Sequence, residues 1–398
     1  MANIRASRTT DLVGLTTNIK RDVYEAIFNF KPYQTPVQQF FMANKSAKYG
    51  VISPKFELSE DVLVSHSFSP NAAYSSAGTT MTFDVGTTSI LFLKKGSLIY
   101  NTATLQLYRA TADADDSAGT IAVILVSSGT ITTTTTADVC LVVSTAFAEN
   151  SASADALSTV VTQPYNYTQI HKKAVQMSGT MMSTATYGGN DWTNQRVKAT
   201  EEIKLELERN WWMGVRNMVT TAGAHVRTSG GILDSASVGI SNRDQYVGTV
   251  APSEDYFFKT FCKNLFAKGT NRKKFYSGAD LLLAINEFSK VKQQTAVPES
   301  EYGVNIKRIL TPFGELDLVW HPLFEGSLST WGVGLDQDNY LKYAYLNGNG
   351  VSRDLQYQTD IGTVGSDLRK DQYLAEVGLA IAGGGRGVHR VLYPGASA

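Results

Sequence analysis

Few residues in this chain have the types and spacing that chemistry requires. The five histidines, His66, His171, His225, His321 and His389, stand far apart. No HExxH pair or Cys/His ligand cluster joins them, so a metal centre is not expected. Cys140 and Cys262 fit no CxxC spacing and read as small buried hydrophobes. Asp336 with Asp338, or Glu201 with Glu202, could in principle share general acid–base work. No GxSxG elbow supplies a nucleophile for them, and no GxxxxGK[ST] loop supplies a phosphate site. Gly348-Asn349-Gly350 and Gly383-Gly384-Gly385-Arg386-Gly387 are glycine-rich, but neither runs from a strand into a helix as a phosphate cradle must. The expectation is a protein without catalysis, cofactor or metal.

With chemistry set aside, the elements themselves carry the information. From Tyr165 to Asn217 an extended Tyr/Thr/Gln-rich arm passes Gly188-Gly189 and becomes a long amphipathic helix. Such an arm has too little apolar surface to hold its shape alone and is expected to lie against something, with the helix as a rigid base from which it could reach a neighbouring subunit. The helix is expected over Asn190–Ala222, some 30 residues or about 45 Å, with Asn190 or Asp191 as N-cap and Gly223 as stop. Val197, Thr200, Ile203, Leu207, Trp211, Gly214 and Met218 recur at three- and four-residue steps and define its buried stripe. Lys198 with Glu202 and Lys204 with Glu208 read as ion pairs on the solvated faces. Adjacent Trp211 and Trp212 point about 100° apart, so one is expected in the core and the other at an inter-subunit contact.

At 398 residues the chain is long enough for two or three packed units. Lys+Arg and Asp+Glu balance at 36 each, which argues against binding nucleic acid through bulk charge. The charged fraction is a low 18%, and near-zero net charge removes long-range repulsion between copies. No apolar run approaches the roughly 18 residues of a membrane span. The N-terminus lacks the apolar core of a signal peptide, so the chain reads as cytoplasmic at synthesis, and the sequons at Asn44 and Asn166 as chance.

Residues 1–65 are mixed, with a basic stretch (Arg5, Arg8, Lys20, Arg21) and a short amphipathic segment, Ile19 to Phe30. From about Gly78 to Val161 short β-branched runs alternate with Gly, Ser and Asp turns. Strands are expected at Thr80–Val85, Ser97–Tyr100, Leu105–Ala110, Thr120–Val126 and Val139–Thr145, with Thr132–Thr136 as a further strand or exposed hairpin. Five strands at this spacing fit a small inserted β-barrel or sandwich. Asp255–Lys268 and Asp280–Gln294 read as helices. Arg308–Leu310 and Glu315–Trp320 form a hairpin about Thr311-Pro312-Phe313-Gly314, and further strands are expected at Trp331–Leu335, Tyr340–Tyr345, Leu355–Gln358 and Gln372–Ala382. The class is α+β.

In their order and spacing these segments resemble the major capsid proteins of tailed double-stranded DNA bacteriophages, in a subfamily with a β-domain inserted in the extended loop. Thr35-Pro36-Val37 with Lys55-Phe56-Glu57-Leu58, then AGTTMTFDVG, KKGSLIYN and TAFAENSASADA, carry the first part of the likeness. NYTQIHKKAVQMSGT with KATEEIKLELERNWWMG carries the middle, and TPFGELDLVWHPLF, WGVGLDQDNYLKY and DLRKDQYLAEVGLAI the end.

The resemblance implies an N-terminal arm over 1–65 and an extended loop over 66–187 holding a small β-barrel insertion at about 78–161. A peripheral domain would carry the spine helix over 188–222, followed by an axial domain over 223–350 and a return to the peripheral domain over 351–398. It also implies hexamers and pentamers closing an icosahedral shell around packaged DNA, assembled in the host cytoplasm. Partners would be a separate scaffolding protein, a portal and a decoration protein. The arm residues Arg5, Arg8, Lys20 and Arg21 would face neighbours or DNA, Gly188 and Gly189 would hinge the loop, and Ile203, Leu207 and Trp211 would pack the spine helix. Some relatives cross-link a loop Lys to a neighbour's Asn, but nothing marks Lys172 or Lys173 as such a nucleophile. A phage tail-tube protein and an encapsulin-like shell are the alternatives.

Overall fold

The computed structural model describes residues 35–61, 63, 66–74, 78–85, 92–115, 117–151, 156, 158–184, 191–221, 223–234, 243–246, 252–292 and 308–394. The chain divides into two compact units, one formed by Ser59–Thr162 and the other by the segments before and after it. Helix α1 (Pro36–Ala43) starts on a proline, whose missing N–H costs nothing in a first turn. It is followed by β1 (Lys48–Val51) and β2 (Lys55–Glu57).

The Ser59–Thr162 unit is one antiparallel sheet. Its strands β3 (Ser67–Phe68), β4 (Thr80–Asp84), β5 (Ser97–Asn101), β6 (Leu107–Ala110), β7 (Thr120–Leu125) and β8 (Cys140–Thr145) lie in the order β3-β8-β5-β6-β7-β4. Period-two alternation makes the core: Ile121, Val123 and Leu125 of β7 turn inward, as do Met81 and Phe83 of β4. Phe83 meets Tyr108 edge-on with ring centroids 5.3 Å apart. Cys140 sits in the same core, where burial pushes its thiol up to about 12. The five strands expected from alternation occur within two residues of their expected ends. Thr132–Thr136 does not form a strand. Only Thr134 pairs, through an isolated bridge to Tyr74, and it is buried there.

The second part of the chain continues through β9 (Tyr165–Tyr167), β10 (Gln169–Ser178), α2 (Gly179–Ser183) and α3 (Asp191–Met213). Next come β11 (Asn217–Thr221), β12 (Ala224–Thr228) and β13 (Arg243–Tyr246). Helix α4 (Glu254–Tyr256) passes through a π-helical stretch (Phe257–Cys262) into α5 (Lys263–Phe266), then β14 (Arg272–Ser277) and α6 (Ala279–Lys292). The hairpin β15 (Arg308–Thr311) and β16 (Gly314–Trp320) turns where expected, followed by β17 (Gly332–Leu335), α7 (Gln337–Tyr340), β18 (Leu341–Gly348) and β19 (Val351–Ser352). The chain closes with β20 (Gln356–Gln358), β21 (Leu368–Ile381) and β22 (Arg390–Pro394).

Two six-stranded sheets result. One runs β1-β18-β21-β10, with β19 on β18 and β20 on β21; the other runs β13-β22-β17-β14-β16-β15. Because β18 and β21 share the first sheet while β17 and β22 share the second, the C-terminal third threads both. A common core joins Phe41, Leu207, Trp211 and Trp212 to Tyr343, Val377 and Leu379 of the first sheet and Val333 and Val391 of the second. A second core beneath the other sheet gathers Phe257, Phe261, Leu265, Phe275 and Leu281. The mixture is α+β.

Three expectations change. Helix α3 stops at Met213, not Ala222: the carbonyls of Trp211, Trp212 and Gly214 accept the N–H groups of Ile232, Leu233 and Gly231 at 2.7, 2.9 and 2.8 Å instead of continuing the helical ladder, and the close approach of Ser229 O, 2.5 Å from where a Cβ would stand, requires glycine at 214. Beyond it, β-branched Val215, Val219, Thr220 and Thr221 favour extended backbone, and Gly223 serves the β11–β12 turn at φ +79°. The helix has 23 residues, about 35 Å of rod. The extended arm from Tyr165 does not need a neighbour to lie against: ten consecutive residues of β10 pair with β21 of the same chain, and His171, Val175 and Met177 are buried. Last, residues 35–58 of the expected N-terminal arm fold into the main unit, since β1 pairs in parallel with β18 and β2 with β9.

Candidate functional site around Glu208

Helix α3 buries the three residues on which its packing stripe was centred, Ile203, Leu207 and Trp211, each with no exposed surface. The stripe is not drawn correctly at its ends, since Val197 and Met218 are 46% and 47% exposed. Trp212 is also fully buried, so both tryptophans are core and neither is a surface contact. Trp212 packs edge-on to Phe324, Tyr276 and His321 with centroids 4.8, 5.3 and 5.0 Å away.

The residue that sequence reasoning missed is Glu208. It is not on a solvated face beside Lys204: its side chain is 0% exposed. Its Oε2 accepts the backbone N–H of Gln38 at 2.7 Å. Its Oε1 accepts the N–H of Val37 at 3.2 Å, Trp212 Nε1–H at 3.2 Å and His321 Nε2 at 2.7 Å. His321 Nδ1 accepts from Leu323 N–H at 3.3 Å, so the proton sits on Nε2 and points at Glu208. Thr35 makes no side-chain cap on α1. The carboxylate of a residue some 170 positions away therefore caps that helix, placing negative charge at its positive end. Trp211 Nε1 adds a bond to Gln38 Oε1 at 2.8 Å. One buried carboxylate thus ties three distant segments together. Its oxygens are occupied by protein donors, so the arrangement holds structure and does not present a base to a substrate.

The rest of α3 is fixed to the sheet by polar contacts. His171 Nδ1 meets Glu206 at 3.1 Å and Lys173 meets Glu202 at 2.5 Å, so Glu202 pairs across to β10. Thr200 Oγ1 donates to Arg196 O at 2.9 Å and accepts from the Tyr373 hydroxyl at 2.7 Å. Asn166, buried, donates to Leu379 O at 2.6 Å and Gly230 O at 3.0 Å and accepts from Gly230 N–H at 2.9 Å. That burial closes the sequon at Asn166 to modification.

A second buried polar node lies in the other sheet. Lys273 donates to Leu265 O, Lys268 O and Val388 O at 2.7, 2.6 and 2.9 Å, capping the end of α5, and burial pulls its pKa down to about 8. Asp336 does not pair with Asp338; it accepts from Thr270 N–H and Oγ1–H at 2.8 and 2.7 Å. His389 is wholly buried, and burial with the nearby Lys273 charge pulls its pKa down to about 4. Burial also lowers His171. Both therefore stay neutral when the unfolded chain would already protonate. Stability present above pH 6.5 is expected to fall progressively as pH drops toward 4, by about 3 kcal/mol for His389 alone. Thermal melts of His389→Gln across that range should lose less stability than the wild type; identical slopes would refute this assignment.

Arg5, Arg8, Lys20, Arg21, Gly188 and Gly189 lie outside the described residues. Among the described residues no group of His, Cys, Asp and Glu is placed to hold a metal ion, and no helix is long and apolar enough to cross a membrane.

A family model described as SU10 major capsid protein matches residues 7–383. No curated protein matches the chain. Among solved structures, the capsid of a native GTA particle is 8% identical, covers 98% of this chain and 100% of its own, and has a TM-score of 0.47. The structure from Gordonia phage Cozz is 10% identical over 100% of this chain and 98% of its own, at 0.47. That from Mycobacterium phage Cain is 11% identical over 100% of both chains, at 0.44.

Proposed function

The chain belongs to the SU10 major capsid protein family, and from that premise we propose that its copies assemble as hexamers and pentamers into a closed icosahedral shell around packaged double-stranded DNA. It is a structural component of the capsid and not an enzyme. The match along residues 7–383 is the observation that carries this reading. The tightly tied main unit suits a repeated building block, and zero net charge suits dense packing of copies.

Within that reading, Ser59–Thr162 is the insertion of the extended loop, and α3 is the spine helix of the peripheral domain. The second sheet with its helices belongs to the axial domain, with two exchanges against the expected 223–350 and 351–398 segments: its strand β22 comes from the returning segment, while β18 joins the first sheet. Arg5, Arg8, Lys20 and Arg21 lie on an arm that meets neighbouring subunits or DNA phosphate without reading sequence. Gly188-Gly189 gives the loop its pivot. Assembly takes place in the host cytoplasm with a separate scaffolding protein, a portal and a decoration protein. Interfaces well beyond the standard 1,600 Å² follow when arm and loop wrap neighbours, with part of the gain offset by ordering them.

Negative-stain microscopy of the expressed chain, with and without a scaffolding protein, tests the proposal. Closed polyhedra are expected. Tubes, or monomers under every assembly condition, would reject it.

A further inference from the structure

Among the described residues the hairpin β11–β12 stands as a sheet of two strands. An isolated two-stranded hairpin is marginal in water unless a further strand or a packed surface supports it. Met218, Val219 and Val226 are 47%, 49% and 57% exposed. Arg227 of β12 is tied to Glu376 at 3.3 Å, which leaves β11 as the outer strand. Natural edge strands are guarded by charge, proline or bulges. Among the described residues, edge strands of five or more residues are β4, β10, β11 and β12. Strand β4 carries Asp84, β10 carries Lys172 and Lys173, and β12 carries Arg227, while β11 (NMVTT) has no charge and no proline.

The register fixes which groups face outward. The two-residue loop makes Thr221 and Ala224 a hydrogen-bonded pair, and alternation makes Val219 and Val226 another. The backbone N–H and C=O of Val219 therefore point to β12, and those of Met218 and Thr220 point away from it. Within one chain Asn217 Oδ1 accepts the Met218 N–H at 2.8 Å, a local bond that an incoming strand carbonyl replaces.

We propose that β11 pairs antiparallel with β11 of a second copy of this chain, about a two-fold axis through Val219, to form a four-stranded sheet across the interface. In that register Met218 of each copy faces Thr220 of the other, so both outward pairs find partners. No like charges meet, and the two Val219 side chains add apolar contact. A two-fold contact of this kind uses the same five residues from both sides. The inference rests on the shell reading, because it needs copies to meet.

The test is disulfide trapping in assembled full-length shells. A Val219→Cys thiol would face its counterpart in a non-hydrogen-bonded pair with Cα atoms about 4.5 Å apart, inside the range a disulfide spans. Native Cys140 and Cys262 are buried and do not interfere. After oxidation with copper–phenanthroline, a non-reducing gel should show about tenfold more dimer for Val219→Cys than for Val226→Cys on the inner strand. The double variant Asn217→Cys with Thr221→Cys opposes thiols in the same register and should give the same dimer should Val219→Cys assemble poorly. Intact shells without these dimers, or equal trapping at Val226, would overturn the pairing while leaving the shell reading standing. Absence of shells from the wild-type chain would instead remove the shell reading.

Discussion

Glu208→Ala should destabilise the subunit by about 3–5 kcal/mol, since a buried donor left without its acceptor costs about 1–3 kcal/mol and several lose theirs at once. The substitution strips the acceptor from two backbone N–H groups at the start of α1, from Trp212 Nε1–H and from His321 Nε2–H, all without solvent to replace it. It also removes the negative charge that caps α1 where Thr35 supplies no cap. In a unit of this size the loss corresponds to a fall in melting temperature on the order of 10 °C. Glu208→Gln should recover only part of it, because an amide presents one acceptor oxygen and turns a donor toward other donors. Lys198→Ala, exposed on the same helix, should stay within about 0.5 kcal/mol of wild type. Melts of unassembled subunits give the comparison. Equal melting temperatures for the Glu208 and Lys198 variants would show that the buried node does not hold the fold.

The contrast between Glu208 and its neighbours shows what the sequence makes legible. Ile203, Leu207 and Trp211 follow the helical period and bury as that period requires. Glu208 sits four residues after Lys204, a spacing that reads as a surface ion pair. Three of its four donors come from residues 37, 38 and 321, whose approach no local pattern encodes. The end of α3 misled for a related reason: Gly214 and Met218 continue the three- and four-residue steps, whereas the last helical carbonyls are taken by the N–H groups of Ile232 and Leu233, some twenty residues on. The strands of the Ser59–Thr162 unit were readable because alternation is local and their partners are near in sequence. Strand β10 was readable as extended, but its partner β21 lies some 200 residues on. The sequence therefore suggested a neighbour where the chain supplies its own strand.

Two truncations separate folding from assembly. Removing residues 1–30 leaves α1 and all of its described contacts in place. That subunit is expected to melt within about 1 kcal/mol of the full chain yet to fail to form closed shells, as the role proposed for the arm requires. Removing residues 1–43 deletes α1 itself. Val37 and Phe41 are both fully buried, and Phe41 packs against Trp211 and Tyr343 with ring centroids 5.9 and 5.6 Å away. Their burial contributes about 1.5–3 kcal/mol each, and the deletion also leaves Trp211 Nε1–H without Gln38 and Glu208 without two donors. Since whole domains are stable by only about 5–15 kcal/mol, the shorter chain should be largely unfolded and prone to aggregate. Circular dichroism with negative-stain microscopy distinguishes the two states. Normal shells from the first truncation would show that the arm is dispensable for closure, whereas a cooperative native melt from the second would show that α1 is not part of the folding core.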